Sequence, residues 1–249
     1  MTWQLVTDAS PEEQVAFANR DSTFALTGQL INDSKTNFTQ RIGLGGRHYY
    51  VKRYLKAGKY LRRFLGTSRV SREWRNARWF VRHDIPTPRC VAMGEGNRWF
   101  GAYWGVIVSE EVSQTIDLRM VYRDKPEILE DRGWRRGMLT ALAEVVAAMH
   151  AQQFIHNDLQ WRNLLVSFDA RPRIYMIDCP AGRSIYLLGN RRGVVRDLAL
   201  LDKMGAQALT RTDRLRFYMK YRNIDRLRGR DKREVSRIVG FLGKRNSGG

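Results

Sequence analysis

Residues 154–166 decide the fold, and they read Phe154-Ile155-His156-Asn157-Asp158-Leu159-Gln160-Trp161-Arg162-Asn163-Leu164-Leu165-Val166. In this stretch Asp158 follows a histidine by two positions, and Asn163 comes five residues later, where an apolar strand begins. A second apolar strand is predicted at Arg173–Ile177, and Asp178 stands directly after it. Because a polar turn joins the two strands as a hairpin, we expect Asn163 and Asp178 at the same end of the sheet.

This order of a carboxylate, an amide and a second carboxylate suits phosphoryl transfer. That reaction needs a carboxylate beside the acceptor hydroxyl, and it needs oxygen ligands for Mg²⁺. We expect Asp158 to accept the hydroxyl proton, and Asn163 and Asp178 to bind the metal ion. His156 is expected to brace the loop by hydrogen bonds rather than to carry a proton.

The pattern His-x-Asp-Leu-x-x-x-Asn, with an aspartate after the next strand, resembles the catalytic loop and metal-binding aspartate of the protein kinase superfamily. The resemblance covers roughly residues 35–221, with its parts in the correct order. It implies an α+β, protein-kinase-like fold with two lobes. Residues 1–112 would form an N-lobe, an antiparallel sheet with one helix that binds the nucleotide. Residues 113–249 would form a mainly helical C-lobe with the catalytic loop and basic C-terminal helices.

The same resemblance implies ATP and Mg²⁺ as cofactors and assigns two residues to the nucleotide. Lys52, in Tyr49-Tyr50-Val51-Lys52, is similar to the third-strand lysine that contacts the α- and β-phosphates. Glu73, on a helix predicted from about Val70 to Arg82, best matches the glutamate that pairs with this lysine. An exposed ion pair with the neighbouring arginines is the alternative for Glu73.

Two more segments are expected at the nucleotide. Val108–Val112 is similar to the hinge that binds adenine through its backbone, which makes Glu110 and Val112 candidate nucleotide contacts. No G-x-G-x-x-G precedes Lys52, and its place is taken by Asn32–Asn37, whose backbone amides could still donate to phosphates.

Three segments resemble the lipopolysaccharide core heptose kinase family, namely Ile85-Pro86-Thr87-Pro88, Arg196-Asp197-Leu198-Ala199 and Thr212-Asp213-Arg214-Leu215-Arg216-Phe217. Members of that family phosphorylate sugars of the inner core at the cytoplasmic face of the inner membrane. The resemblance therefore implies transfer of the γ-phosphate of ATP to a sugar hydroxyl, a heptose of the lipopolysaccharide inner core.

Several departures separate the sequence from regulated protein kinases. Asp178-Cys179-Pro180 stands where Asp-Phe-Gly is usual, and Gln160 replaces the lysine that Ser/Thr kinases place two residues after the catalytic aspartate. No Ala-Pro-Glu follows. These departures favour a small-molecule or glycan acceptor over a protein acceptor.

The charge indicates an anionic partner. Forty-four Lys and Arg residues against twenty-five Asp and Glu residues give a net charge of +19. Such a field attracts anionic glycans and lipid surfaces. We expect lipopolysaccharide core or another anionic glycan, and an anionic membrane surface, as partners, and no nucleic acid.

The remaining composition favours a cytoplasmic protein. Cys90 and Cys179 are the only cysteines, which is typical of a reducing compartment. No apolar run is long enough to cross a bilayer, and no signal peptide is visible. The expected location is therefore the cytoplasm, with peripheral binding at the inner face of the inner membrane.

Four arginines are candidate contacts to the acceptor. One lies within the catalytic stretch and three follow it, and their planar forks suit phosphates already present on a glycan. They are Arg162, Arg183, Arg191 and Arg192. Trp161 faces either a sugar ring or the core, and the sequence leaves both open.

Three alternatives remain open. One is a soluble small-molecule kinase of the choline or aminoglycoside phosphotransferase type, which the basic surface disfavours. Another is an atypical RNA-associated protein kinase, which a charge of +19 would also suit. The third is a catalytically silent kinase-fold binding module, against which the intact Lys52, Asp158, Asn163 and Asp178 argue.

Further elements are predicted from caps and periodicity. Ser10-Pro11-Glu12-Glu13 begins a helix that should reach about Asn19. A hairpin joins Phe38–Ile42 to Arg47–Tyr54, and strands are expected near 90–93 and 102–108. The helical spacing of Leu139, Leu142, Val146 and Met149 predicts a buried helix from Trp134 to Gln153.

Overall fold

The computed structural model describes residues 1–34, 37–55, 67–97, 103–185 and 191–241. The chain divides into two compact units. The first unit consists of Met1–Trp79 and Pro88–Ser113, and the second consists of Phe80–Thr87 and Gln114–Gly249.

A six-stranded antiparallel sheet forms the first unit. Its strands are β1 (Thr2–Leu5), β2 (Gln29–Asp33), β3 (Asn37–Leu44), β4 (Arg47–Tyr54), β5 (Cys90–Asn97) and β6 (Tyr103–Glu110). They stand in the order β1-β5-β6-β4-β3-β2. The helices are α1 (Pro11–Ala16), α2 (Arg20–Ala25) and α3 (Arg69–Arg82), and the division between the units falls inside α3.

The predicted hairpin is confirmed. Strands β3 and β4 pair from Asn37 opposite Tyr54 to Leu44 opposite Arg47. Gly45 and Gly46 make the turn with φ of 56° and 75°, a left-handed conformation that glycine adopts without steric cost. The two strands that were expected near residues 90–93 and 102–108 are β5 and β6, and both run a few residues further.

Alternation along β4 sets its residues on two faces of the sheet. Val51 is fully buried in the apolar cluster of one face. Tyr54, on the other face, packs with Trp74 of α3. Because side chains two residues apart share a face, Lys52 lies on the side of Tyr54. This register directs Lys52 toward the helix that carries Glu73.

The prediction of one helix reaching Asn19 is wrong, because two short helices occupy this region. Ser10 caps α1 through a capping box with Glu13, and α1 ends at Ala16. The side chain of Asn19 accepts from the backbone N–H of Ser22 and starts α2. The polar side chain at position 19 is therefore an N-cap rather than part of the first helix. The described residues of the first unit thus contain two short helices besides α3.

Strands β1 and β2 are absent from the sequence-based prediction. Strand β1 pairs with β5, and the ring of Trp3 lies where a Cβ at Gly94 would come within 2.2 Å. This glycine therefore permits the edge strand to pack. Strand β2 is exposed along its length and has no apolar alternation, so only its pairing with β3 defines it.

The second unit is mainly helical. Its helices are α4 (Leu118–Asp124), α5 (Pro126–Glu130), α6 (Arg132–Ala151), α7 (Arg191–Ala208), α8 (Arg211–Arg222) and α9 (Gly229–Gly240). Its short strands are β7 (Thr115–Asp117), β8 (Phe154–Ile155), β9 (Leu164–Ser167), β10 (Ile174–Met176) and β11 (Arg183–Ser184). They form two small antiparallel sheets, β10-β9-β7 and β11-β8.

The predicted buried helix is α6, which begins two residues earlier than expected. Asp131 fixes this start, because its carboxylate accepts from the backbone N–H groups of Gly133 and Trp134 at 2.7 and 3.2 Å. The apolar positions that predicted the helix are buried, namely Leu139, Leu142, Val146 and Met149. None of the helices in the described ranges has the length and apolar character that crossing a membrane requires.

Candidate functional site

Lys52 and Glu73 form an ion pair within the first unit. Lys52 Nζ lies 3.2 Å from Glu73 Oε1 and 3.3 Å from Oε2. The hydroxyl of Tyr54 donates to Glu73 Oε2, and Lys52 Nζ lies 5.3 Å from the centre of the Tyr54 ring. Glu73 is only 9% exposed, so the alternative of an exposed ion pair does not describe it. Tyr54, which the sequence-based prediction missed, follows Lys52 by two residues on the same face of β4.

The segment predicted as the hinge begins at the end of β6. The backbone N–H of Glu110 donates to the carbonyl of Arg89 at 2.8 Å, and its carboxylate pairs with Arg47 and Arg89 at 3.4 and 3.3 Å. The carboxylate of Glu110 is therefore ion-paired with two arginines. Val112 follows two residues later and is partly buried. Because the N–H of Glu110 is already bonded, a backbone hydrogen bond between this residue and adenine would use its carbonyl. Val112 has no polar side-chain group, so its hydrogen bond would also use the backbone.

The polar segment in place of a glycine-rich loop connects β2 to β3. The Ser34 backbone N–H and hydroxyl both donate to the Asn37 carbonyl, at 2.9 and 2.8 Å, and the Asn37 N–H donates back to the Ser34 hydroxyl at 3.1 Å. These three bonds close the connection at its base. Residues 35 and 36, part of the predicted phosphate loop, lie outside the described residues.

Asp158 stands in a loop of the second unit whose groups converge on its carboxylate. Arg162 Nη2 lies 3.0 Å from Asp158 Oδ2, and Asn163 Nδ2 donates to the same oxygen at 3.2 Å. The amide of Gln160 donates to the other oxygen, Oδ1. Asp158 is thus partly exposed and held by three side chains.

The carboxamide of Asn163 is fixed in one orientation. Its Nδ2 donates both to the Asp158 carbonyl, at 2.8 Å, and to the Asp158 carboxylate. Oδ1 is therefore the atom of this side chain that a cation would bind. The backbone N–H of Ile177 donates to the Asn163 carbonyl at 3.0 Å, which brings Asp178 to the same end of the β9–β10 hairpin.

Several contacts set the position of Asp178. Its φ of 51° is left-handed, a conformation that aspartate and asparagine adopt more readily than other residues with a side chain. The strand before it is held by Pro86 and Thr87, which bond the backbone N–H and carbonyl of Met176, each at 2.8 Å. The segment Ile85–Pro88, singled out in the sequence, therefore positions the strand that leads to Asp178.

The donor set suits Mg²⁺. A carboxylate and an amide oxygen at one end of a hairpin are hard ligands, and Mg²⁺ in phosphoryl-transfer sites takes few protein ligands and completes its shell with water and phosphate oxygens. The described parts of the chain contain no group of three or more His, Cys, Asp or Glu side chains able to hold a metal. Asn163 and Asp178 are the residues that would hold the ion.

A buried carboxylate of α7, Asp197, holds the backbone of the catalytic loop. Its Oδ2 accepts from the backbone N–H of His156 at 2.7 Å, and its Oδ1 accepts from that of Asn157 at 2.8 Å. Asn157 has a φ of 65°, so the loop reverses direction just before Asp158. Asp197 was noted in the sequence only as part of a family segment. Because Asp197 lies forty residues after Asn157, the sequence alone does not indicate that it binds this loop.

The ring of His156 is buried rather than aimed at solvent. It stacks on Phe80 with ring centroids 6.4 Å apart, and burial lowers the pKa of His156 below its ordinary value. The imidazole is therefore neutral near pH 7. The backbone N–H of His156 makes the bracing bond to Asp197. Trp161 is also buried, and its indole N–H donates to the Leu201 carbonyl at 3.1 Å, so it belongs to the core.

The four candidate acceptor arginines lie on three different segments of the second unit. Arg162 pairs with Asp158. Arg183 is exposed on β11, which pairs with β8 just before the catalytic loop. Arg191 and Arg192 are exposed at the start of α7.

Comparison with known proteins gives consistent matches. Residues 30–221, more than half of the chain, match the model of a family described as the lipopolysaccharide kinase (Kdo/WaaP) family. A lipopolysaccharide core heptose(I) kinase, WaaP, from Pseudomonas aeruginosa is 27% identical over 210 residues, which are 79% of this chain and 78% of that protein.

A solved structure shows the fold. The structure of WaaP in complex with acyl carrier protein superposes with a TM-score of 0.73 at 24% identity, and the match covers 98% of both chains. The expected protein-kinase-like fold, with an antiparallel sheet and helices, is confirmed.

Proposed function

The chain belongs to the lipopolysaccharide kinase (Kdo/WaaP) family, and we propose that it transfers the γ-phosphate of ATP to a sugar hydroxyl, a heptose, of the lipopolysaccharide inner core. Membership of the family makes the protein a phosphotransferase that uses ATP. The observation that carries the proposal is the geometry of the catalytic loop. The side chain of Asn163 bonds the carboxylate of Asp158, and its carbonyl accepts from the backbone N–H of Ile177, the residue before Asp178.

Asp158 acts as the base in this proposal. Its partly exposed carboxylate would accept the proton of the sugar hydroxyl as the hydroxyl oxygen attacks the γ-phosphorus, the bond from that phosphorus to the bridging oxygen breaks, and ADP leaves. Asp197 keeps the loop backbone in place, and the amide of Asn163 orients the carboxylate. Arg162, now paired with Asp158, is positioned to contact the acceptor when the hydroxyl approaches.

Nucleotide binding in this proposal assigns a separate role to each residue. Lys52 contacts the phosphates, and Glu73 together with Tyr54 fixes the direction of the ammonium group. The backbone at Glu110 and Val112 binds the adenine. Asn163 and Asp178 hold Mg²⁺, which neutralises the negative charge of the phosphates when it is bound.

The acceptor class is supported by the relatives and by charge. The Pseudomonas aeruginosa relative is named for a heptose of the lipopolysaccharide core. The net charge of +19 suits an acceptor that carries phosphates, and the exposed Arg183, Arg191 and Arg192 are candidate contacts to them.

The same charge supports peripheral binding at the inner face of the inner membrane, where anionic lipid would attract the protein. The solved relative is in complex with an acyl carrier protein. A protein partner of that kind is a further proposal for this chain. The net charge of +19 would favour a partner with an acidic surface.

The test is incorporation of labelled phosphate from ATP into purified, dephosphorylated lipopolysaccharide core. The native protein should label the core, and Asp158→Ala should abolish labelling while it still binds ATP. Mass spectrometry then identifies the sugar that gained the phosphate. Hydrolysis of ATP with no transfer to the core, or equal labelling by the variant, would contradict the proposal.

A further inference from the structure

A strongly basic cavity lies in the second unit. It has a volume of about 760 Å³, which is in the range of small-molecule sites. It is walled by the end of α6, the start of α7, the end of α8 and one face of α9. Asp158, Asn163 and Asp178 are not among its lining residues, so it is separate from the proposed catalytic groups.

The charge of the lining is one-sided. Five arginines face one glutamate, and the charged members are Arg191, Arg222, Arg230, Arg233, Arg237 and Glu234. Three of the arginines come from α9, at positions 230, 233 and 237, where spacings of three and four residues put them on one side of the helix. Like charges gathered in this way repel each other, and an anion between them removes the repulsion.

The single glutamate does not neutralise the cluster. Glu234 accepts from the Tyr218 hydroxyl at 3.3 Å and lies 4.0 Å from Arg222 Nη1. Within the described residues, Arg222 Nε is a buried donor with no hydrogen-bond partner. A buried donor without an acceptor costs free energy, and an anionic ligand oxygen would satisfy it.

We propose that this cavity binds a ligand that carries two or more phosphate groups, through Arg222 and the arginines of α9. Guanidinium groups bind phosphate oxygens in bidentate pairs, and the size of the cavity and the number of arginines exceed what one phosphate requires. A phosphorylated sugar and the headgroups of anionic lipids share this chemistry.

The back wall of the cavity restricts which residues a test can change. The Tyr221 hydroxyl lies 2.9 Å from His150 Nδ1, and His150 Nε2 lies 3.4 Å from Asp197 Oδ2. A substitution at Tyr221 or His150 would thus disturb the catalytic loop. The exposed arginines of α9 are better positions, because their removal leaves this chain of contacts intact.

Pyrophosphate binding, measured by calorimetry, tests the site. The pocket variant is Arg230→Gln with Arg233→Gln. The matched control is Arg226→Gln with Lys232→Gln, which removes the same charge from exposed positions of the same region outside the cavity. All proteins, including the reference, carry Lys52→Met, so that pyrophosphate does not occupy the place proposed for the nucleotide phosphates. Thermal melting confirms that each variant is folded.

The pocket variant should raise the dissociation constant about tenfold or more, and the control should raise it less than about threefold. An equal loss in both variants, or no loss in the pocket variant, would overturn the proposal. Vesicles of phosphatidylcholine with and without phosphatidylglycerol identify the source of the phosphates. If the pocket variant alone loses binding to the anionic vesicles, the ligand is a lipid headgroup. If vesicle binding is kept while pyrophosphate binding is lost, the ligand is a soluble or glycan phosphate.

Discussion

Each unit contains a fully buried carboxylate at the centre of a hydrogen-bond network, and the two are satisfied in different ways. In the first unit, Glu13 has no exposed surface, and most of its hydrogen bonds come from the side chains of Arg89 and Tyr49. In the second unit, Asp197 is equally buried, but two of its hydrogen bonds come from the backbone of the catalytic loop.

Glu13 links a helix start to the sheet. Its Oε1 accepts from Arg89 Nη1 at 2.7 Å and from the Tyr49 hydroxyl at 2.8 Å. Its Oε2 accepts from Arg89 Nη2 at 3.0 Å and from the Ser10 backbone N–H at 2.9 Å. Such a carboxylate stabilises the packing of the elements around it. It touches none of the residues proposed for catalysis.

Asp197 instead fixes the conformation of a loop. Because the two N–H groups belong to His156 and Asn157, the Asp197 carboxylate fixes the backbone position from which the next residue, Asp158, continues. The comparison indicates that burial alone does not mark a functional acid. The groups that the acid binds decide whether its loss affects the fold or the chemistry.

Among the variants that test the comparison between the two acids, Asp197→Ala should have the largest effect. Two N–H groups, a buried one of His156 and a partly buried one of Asn157, lose their acceptor, which costs about 2 kcal/mol or more of stability. The loop is also free to move, and a displacement of about 1 Å can cost 100-fold in rate. We expect kcat for phosphate transfer to fall about 100-fold or more while the variant remains folded by circular dichroism.

A matched control for this prediction is Asp202→Asn on the same helix. Asp202 pairs with Arg214 at 2.6 Å, but its side chain is 22% exposed and does not contact the catalytic loop. Its loss should leave kcat within about threefold of the native value, as is usual for a partly exposed ion pair. If the two variants lose the same activity, Asp197 has no special role in the loop.

Glu13→Gln should have the opposite profile. It removes the negative charge that pairs with Arg89, and because Arg89 keeps its contacts with Asp8 and Glu110, the cost should be about 2 kcal/mol, below that of breaking an isolated buried pair. We expect the free energy of unfolding, measured in urea, to drop by this amount while kcat per folded molecule is unchanged. A fall in kcat as large as that of Asp197→Ala would remove the distinction between the two acids.

The contribution of Glu13 should also depend on pH. Burial raises the pKa of Glu13, but the hydrogen bonds from Arg89, Ser10 and Tyr49 outweigh it and hold the pKa at about 2, below the ordinary 4.5. The folded state therefore binds this proton less readily than the unfolded state, so the stabilisation is complete above pH 4.5 and is lost as the pH falls through about 2.

This pH dependence can be measured by comparing unfolding of the native protein and Glu13→Gln between pH 2 and pH 7. The difference in stability should be constant near neutral pH and should shrink toward zero at the acid end. A difference that does not change with pH would mean that the charge of Glu13 is not what stabilises the first unit.

Local patterns in the sequence account for most of the fold. The β3–β4 hairpin and α6 follow from strand character, glycines and helical spacing that lie within each segment. The division of the region after Ser10 into two helices was not predicted, because Asn19 can continue a helix or cap the next one. Strands β1 and β2 were also missed, because partners distant in the chain define them.

The candidate site shows the same limit. Asp158, Asn163 and Asp178 follow from spacing, because a loop and a hairpin connect them within a short stretch of chain. Asp197 lies forty residues beyond the Asn157 backbone that it binds, and Tyr54 acts on Glu73 across nineteen residues, so neither role is visible before the chain is folded. The basic cavity likewise collects arginines from α7, α8 and α9.

The most direct test of the central claim, that Asp158 accepts the proton of the acceptor hydroxyl in phosphate transfer, is a single-turnover measurement on Asp158→Asn. ATP, dephosphorylated lipopolysaccharide core and excess enzyme are mixed, and ATP affinity is measured separately. The transfer step should slow by about 100- to 10,000-fold, as expected for loss of a general base, with ATP affinity unchanged. A transfer rate close to that of the native protein would contradict the assignment of Asp158 as the base.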